Sequence, residues 1–351
     1  MTGRSASFAV PGSLTTLTGG YHYDRRLLSA LRALGYDVAH IEFGDSFPEP
    51  SADDAADAAA QLAAVPAGHP VLIDGLALGA MDRAALTGMS APVVALVHHP
   101  LAHESGLAPA RRDHLARVER ENLALAAHVV VTSPHTRAVL TADYGVAPER
   151  ITVAQPGTDQ PSGRREKVDP PLILSVGIQV PRKGHDVLLR ALVRVRDRPW
   201  QAVIVGSALD ADHAGRLARL RVELGLSDRV RLAGRLPDAA LARLYGQAQL
   251  FALATRYEGY GIVFDEAMAH GLPIVSCATG AVPDTVAPGA GLLVPPEDPE
   301  AFAGALARLL DEAGTRADMA AASAAAGAAL PGWDDTARRV AAVLDGVAAG
   351  A

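Results

Sequence analysis

Residues 250–277 read LFALATRYEGYGIVFDEAMAHGLPIVSC. An apolar run of strand length, LFALA, leads into a polar, glycine-bearing loop, RYEGYG. A segment of helical period follows from near Ile262 and ends at Gly271, and a second apolar run, PIVSC, begins at Pro273. Strand, loop, helix and strand in that order form a parallel crossover, which puts the loop at the carboxyl end of the first strand. Gly259 and Gly261 allow close backbone approach, and a helix starting near Ile262 presents free N–H groups to an anion. Glu258 lies in the loop and Glu266 a turn or so into the helix, one carboxylate on each side of that anion site. Carboxylates repel phosphate, so these two are expected to bind hydroxyls. The plainer alternative is that Glu258 caps the helix and Glu266 faces water.

The same alternation extends in both directions. Upstream, SFAV, YDVAHIEF, PVLIDG, PVVALVHH and HVVVTS read as strands, and YDRRLLSALRALG as a helix with Leu27, Leu28, Leu31 and Leu34 on one face and Gly35 as its stop. In the second half PLILSVG, QAVIVG, RVRLAG, LFALA and PIVSC alternate with HDVLLRALVRV, ALARLYGQA and GIVFDEAMAHG. The expectation is an α/β protein of two doubly wound Rossmann-like domains, 1–160 and 161–330, joined within the Pro/Gly/charge-rich stretch 155–171. The Ala-rich stretch 301–330 keeps an apolar face at Phe302, Leu306, Leu309 and Leu310, which predicts packed helices. A further helix over 331–351, periodic from Trp333, could pack back on the N-terminal domain or on the other.

Composition bounds the function. Of 351 residues, 49% are apolar and 20% charged, so the chain has a core to bury and is not a disordered segment. A net charge of −7 argues against neutralising a nucleic-acid backbone, and no nucleic-acid partner is expected. The single cysteine, Cys277, excludes an intrachain disulfide framework and suits a reducing compartment. Pro11, Gly12 and several threonines interrupt the N-terminal apolar run, so no signal peptide is read, and no apolar run approaches bilayer length. A cytoplasmic location follows as the expectation, with peripheral contact at the inner face of a membrane left open.

A second candidate loop is SVGIQVPRKGHDVLLRAL, again strand, loop and helix. The chain has 30 Arg and only two Lys, Lys167 and Lys183, so a Lys at this loop tip departs from its own habit. A flexible ammonium beside a helix N-terminus suits a diphosphate bound as a point charge; a solvated surface Lys is the alternative.

RYEGYGIVFDEAMAHGLPIV, VPRKGHDVLLRAL, VRLAGRL, LARLYGQAQLFALAT and GLLVPPED together resemble the retaining glycosyltransferases of family 4 (glycosyl transferases group 1). The resemblance is strong over about residues 150–345. It is weaker upstream, where it rests on TGGYHYDRRLL, VHHP, VVVTSPHT and QPGTD. It implies the GT-B fold, two Rossmann-like domains facing each other across a cleft, and transfer of a hexose from a nucleoside diphosphate sugar to a hydroxyl of a glycan, lipid or small molecule. Carried over by residue, Glu258 would sit at the donor hexose, with backbone groups of Gly259, Tyr260, Gly261 and Ile262 around sugar and diphosphate. Glu266 would hold the ribose hydroxyls and Lys183 the diphosphate. Gly20 would match the N-terminal glycine loop, and His98, with His99 as its rival, the histidine after a central N-terminal strand.

One departure stands out. Where the family usually has Arg beside the first-strand glycine, this chain has Ile178, and Arg182 is the residue that could supply the missing charge. No Asp-x-Asp pair occurs at a strand end in a convincing setting, so neither a metal nor another cofactor is expected. An NAD-dependent oxidoreductase would need Gly-x-Gly-x-x-Gly after a strand, which is absent. A GT-B sugar-nucleotide epimerase and a non-catalytic nucleotide-sugar binder remain as alternatives, whereas a phosphorylase would need a Schiff-base Lys. Arg111, Arg112, Arg117 and Arg120 could face anionic lipid, or form a solvated helix laced with ion pairs through Asp113, Glu119 and Glu121.

Overall fold

The computed structural model describes residues 4–16, 18–161 and 166–350. The chain forms two compact units, Met1–Gly157 with Pro331–Ala351, and Thr158–Leu330. Residues 162–165 of the expected linker lie outside the described residues.

In the first unit β1 (Ser5–Pro11), β2 (Asp37–Phe43), β3 (Val71–Asp74), β4 (Val93–Val97), β5 (His128–Val131) and β6 (Ile151–Val153) make one parallel sheet in the order β2-β1-β3-β4-β5-β6. β3 and β4 are buried along their whole length, as expected of strands covered by helices on both faces. The edge strand β2 is only partly covered, with Val38 and Phe43 its buried residues. The helix Gly19–Ala33 starts before the period at Tyr23 announces it, because Thr18 caps its first turn through the N–H of Tyr21. Leu27, Leu28 and Leu31 are buried, and Gly35 at φ 85° ends the helix in the left-handed region.

The helix Trp333–Gly350 belongs to this unit. Trp333 lies edge-on to Tyr23 at 5.6 Å and to His22 at 5.7 Å, and the Arg26 guanidinium stands 5.2 Å from its ring centre. Thr336 donates to the Gln155 carbonyl at 2.7 Å.

In the second unit β7 (Leu172–Val176), β8 (Gln201–Val205), β9 (Val230–Gly234), β10 (Leu250–Leu253), β11 (Ile274–Cys277) and β12 (Gly291–Val294) form a parallel sheet in the order β12-β11-β10-β7-β8-β9. The Ala-rich stretch folds as helices Pro299–Asp311 and Ala313–Ala328, with Phe302, Leu306 and Leu309 fully buried.

In each sheet the order reverses at one place: between β1 and β3 in the first, and between β7 and β10 in the second. Loops leaving neighbouring strands there part to opposite faces and open a crevice at the carboxyl ends, the usual place for a ligand in such sheets.

Candidate functional site

The crevice of the second unit is built from the loops after β7 and β10, which lie next to each other in the sheet. The β7 loop closes as a short turn, Pro181–Lys183, and Gly184 then enters the helix His185–Arg194 at φ 61°. A Cβ on Gly184 would lie 1.8 Å from the Ala254 carbonyl oxygen, so only glycine lets the Lys183 turn rest on the backbone leaving β10. Opposite it, Gly261 at φ 93° starts the helix Ile262–Ala269, and no side chain caps that first turn. The intervening loop is pinned from behind. Ala281 donates its N–H to the Glu258 carbonyl at 2.9 Å, Thr285 donates to the Tyr260 carbonyl at 2.7 Å, and a Cβ on Gly280 would meet the Glu258 oxygen at 2.3 Å.

These loops bring Lys183, Arg182 and Glu258 into one ion cluster. Lys183 Nζ donates to Glu258 Oε1 at 2.6 Å, Arg182 Nη1 lies 3.5 Å from Oε2, and Thr255 donates to Oε1 at 2.9 Å. Arg182 Nη1 also donates to the Tyr257 carbonyl at 3.1 Å. The Arg182 guanidinium therefore points to the place Lys183 occupies, which the spacing from Ile178 left open. Glu258 is 4% exposed. Burial alone would raise its pKa, but Lys183 and then Arg182 hold it below the usual carboxylate value. Lys183 and Arg182 converge on one carboxylate, beside a helix N-terminus that no side chain caps. Glu258 is thus neither a helix cap nor a solvated loop residue.

Glu266 belongs to a separate pair. Tyr245 donates to its Oε2 at 2.6 Å, and the Tyr245 ring stacks on His270 at 4.8 Å. Burial pushes the Glu266 carboxyl up to about 6, the Tyr245 bond opposes that, and Asp159 and Asp238 add to it. Tyr260 donates to the buried Asp265 at 2.6 Å, so its hydroxyl is turned into the unit.

In the first unit the crevice holds His98, at the end of β4. Its Nε2 lies 3.0 Å from Asp24 Oδ1 and 3.3 Å from Asp74 Oδ2. Gly20 packs on the ring: a Cβ there would stand 3.4 Å from His98 Cδ2. Burial alone would lower the His98 pKa, but Asp24 and Asp74 together raise it well above the ordinary histidine value. His99 turns instead towards Glu104, at 3.6 Å. Of the two histidines, His98 is the one joined to Gly20.

Asp24, Asp74, Thr255 and Tyr245 escaped the sequence reading. Asp24 follows Gly20 by one helical turn and Asp74 ends the apolar strand PVLID, so an acid at a strand's carboxyl end was the available signal. Among the described residues, Asp24, Asp74 and His98 are the one group of three whose ligand atoms lie close enough to hold a metal. A cation there would have to replace the Nε2 proton that the carboxylates share. The basic residues at 111–120 are engaged within the chain: Arg111 with the Pro48 carbonyl, Arg112 with Asp113, Arg117 with Glu121, and Arg120 with the Asp143 carbonyl. Among the described residues, no helix is long and apolar enough to cross a membrane.

The architecture recurs in solved structures. Sucrose-phosphate synthase from Thermosynechococcus elongatus superposes with a TM-score of 0.83 at 22% identity, covering 99% of this chain and 100% of that one. The Anabaena protein Alr3699/HepE, in complex with UDP and glucose, gives 0.77 at 18% identity, covering 98% and 99%. At those identities the likeness establishes the fold, which is GT-B. Residues 69–160 match Glycosyltransferase Family 4 and residues 158–325 match Glycosyl transferases group 1. The chain belongs to the family 4 glycosyltransferases. Among curated relatives, the D-inositol 3-phosphate glycosyltransferase of Streptosporangium roseum is 33% identical over 73% of this chain and 65% of its own length. The MMP alpha-(1->4)-mannosyltransferase of Mycolicibacterium hassiacum is 35% identical over 64% and 57%. The matched part thus spans less than two thirds of these relatives.

Proposed function

We propose that this protein transfers a hexose from a nucleoside diphosphate sugar to a hydroxyl acceptor with retention of anomeric configuration. The observation that carries the reading is the Lys183–Arg182–Glu258 cluster at the strand-order reversal of the second sheet, beside the N-terminus of the helix Ile262–Ala269. In the reaction the bond from the anomeric carbon to the diphosphate oxygen breaks, and negative charge grows on the departing phosphate. Lys183 and Arg182, already held in place, stabilise that charge without reorganising. Glu258 meets hydroxyls of the donor hexose, and the backbone of Gly259, Tyr260, Gly261 and Ile262 lines sugar and diphosphate. Glu266 takes the ribose hydroxyls. The acceptor oxygen attacks from the face the diphosphate leaves, and its proton passes to the diphosphate, so no enzyme nucleophile and no metal is required. Gly20 and His98 act on the acceptor side.

The names of the relatives support sugar transfer, and the Anabaena complex supports a nucleotide-linked donor. An anionic-lipid surface at Arg111–Arg120 is disfavoured because those side chains already have partners. The test is proton NMR of the product formed from UDP- and GDP-hexoses with inositol phosphates, oligosaccharides and small polyols as acceptors. A product with the donor's anomeric configuration is expected. An inverted product contradicts retention, and interconversion of free nucleotide sugars without transfer identifies an epimerase instead.

A further inference from the structure

The environment of His98 is more elaborate than a strand-end histidine requires. Asp24 and Asp74 come from different elements, the helix Gly19–Ala33 and the end of β3, yet both carboxylates converge on one ring nitrogen. Each part is fixed independently. Asp74 Oδ1 accepts the N–H of Leu76 at 2.9 Å, which leaves Oδ2 for the imidazole. The His98 carbonyl accepts the hydroxyls of Thr132 at 3.3 Å and Thr136 at 3.4 Å. The Tyr23 ring stands edge-on at 5.2 Å, tied by its own hydroxyl to the Ala154 carbonyl. Asp24 and Asp74 are each 1% exposed, whereas the His98 side chain is 19% exposed. The carboxylates are sealed in, and the ring keeps an edge towards solvent.

Two carboxylates buried this deeply and this close cannot both stay ionised without a cation between them. The imidazole is the group in that position. The other groups facing it do not replace it. Tyr21 and Tyr23 are neutral phenols whose ionisation burial opposes, and Arg25 acts on Asp24 only through space. With Nε2–H shared by the carboxylates, Nδ1 is the ring nitrogen left for a ligand. In the protonated ring Nδ1–H is a donor, whereas in the neutral ring bonded this way it would be an acceptor.

We propose that Asp24 and Asp74 are positioning residues that clamp His98 as an imidazolium, so that its Nδ1–H serves as a fixed hydrogen-bond donor to a sugar or acceptor oxygen. The ligand part of this inference rests on the glycosyl-transfer reading; the charge state of the ring does not. Its consequence is selectivity at that atom. The site favours an oxygen acceptor there, and His98 cannot act as a base through Nδ1 while the clamp is intact.

Nitrogen-15 NMR of the full chain labelled in its histidines tests this, with the His98 signals identified by their loss in His98→Gln. In the wild-type protein both ring nitrogens of His98 are expected to stay protonated from pH 6 to pH 9, well above the value of about 6.5 of a histidine in a model peptide. Asp24→Asn and Asp74→Asn should each lower the His98 titration midpoint by roughly 1 to 3 pH units, the usual effect of losing a close opposite charge. The alkaline limb of donor turnover should move with it. A purely structural role would leave the ring charge unmoved. If the variants fail to fold, the wild-type titration alone decides. A neutral His98 at pH 7 overturns the proposal, as does a midpoint indifferent to both substitutions. Histidine signals that change on chelation, and return with added Mn2+ or Zn2+, would overturn it in favour of a metal site. An imidazolium in a protein that binds no nucleotide sugar would uphold the clamp and remove the glycosyl-transfer reading; donor binding with a neutral His98 would do the reverse.

Discussion

Lys183→Ala separates stability from chemistry in the ion cluster. The substitution removes the ammonium 2.6 Å from Glu258 and leaves that buried carboxylate with Arg182 at 3.5 Å and the Thr255 hydroxyl at 2.9 Å. Breaking a buried pair by removing one partner costs about 3–5 kcal/mol when the other charge is stranded. Here Arg182 keeps Glu258 partly compensated, so a loss at or somewhat below about 3 kcal/mol is expected. Turnover should fall on the order of 100-fold, the effect of losing one preorganised donor to developing oxyanion charge. The double variant Lys183→Ala/Glu258→Gln removes both charges. It should recover much of the lost stability and none of the turnover, since the diphosphate still lacks its cation. Urea denaturation of wild type, both single variants and the double gives the stability cycle, and initial rates of nucleoside diphosphate release from a bound donor give the chemistry. Wild-type turnover in Lys183→Ala, or a double variant no more stable than the single, would show that Lys183 plays neither part.

Three further outcomes follow from the same geometry. Glu266→Ala should raise KM for the donor more than it lowers kcat, because a ribose contact is made in ground and transition states alike; steady-state kinetics against donor concentration measure the split. The Glu258 carboxyl is held below its usual value in the folded chain, so it contributes stability above the unfolded pKa and loses it as pH falls through the folded one. The penalty of Glu258→Gln in denaturant midpoint should accordingly be largest at pH 7 and shrink as pH falls below about 4.3, the unperturbed value for Glu. Gly184→Ala forces a Cβ to within 1.8 Å of the Ala254 oxygen at φ 61°, and should cost at least the ~1–3 kcal/mol of a left-handed non-glycine residue; thermal unfolding checks the stability and calorimetry the accompanying loss of donor affinity.

What the sequence disclosed depended on whether the signal was local. Strands buried on both faces, such as β4 and β10, announce themselves as continuous apolar runs. β6 and β12 were not read as strands, since they are short edge strands of three and four residues whose partial exposure leaves no periodic pattern. The helix from Trp333 was legible from its period, but its partner was not, because the contacts of Trp333 with His22 and Tyr23 join opposite ends of the chain. The same holds within the site. Lys183 and Glu258 were each visible as a residue out of place in a glycine loop, yet their pairing spans 75 positions and comes from the adjacency of β7 and β10. The Asp24–His98–Asp74 clamp draws on three separate segments, and nothing in any one of them marks the other two.

The cluster after β7 and β10 is where a nucleoside diphosphate sugar should bind. Isothermal titration of the intact chain with a panel of UDP- and GDP-hexoses tests it most directly. Saturable binding of at least one donor, weakened at least tenfold in Lys183→Ala while that variant remains folded, is the predicted result. A panel in which no donor binds, or a donor whose affinity is indifferent to Lys183, would contradict it.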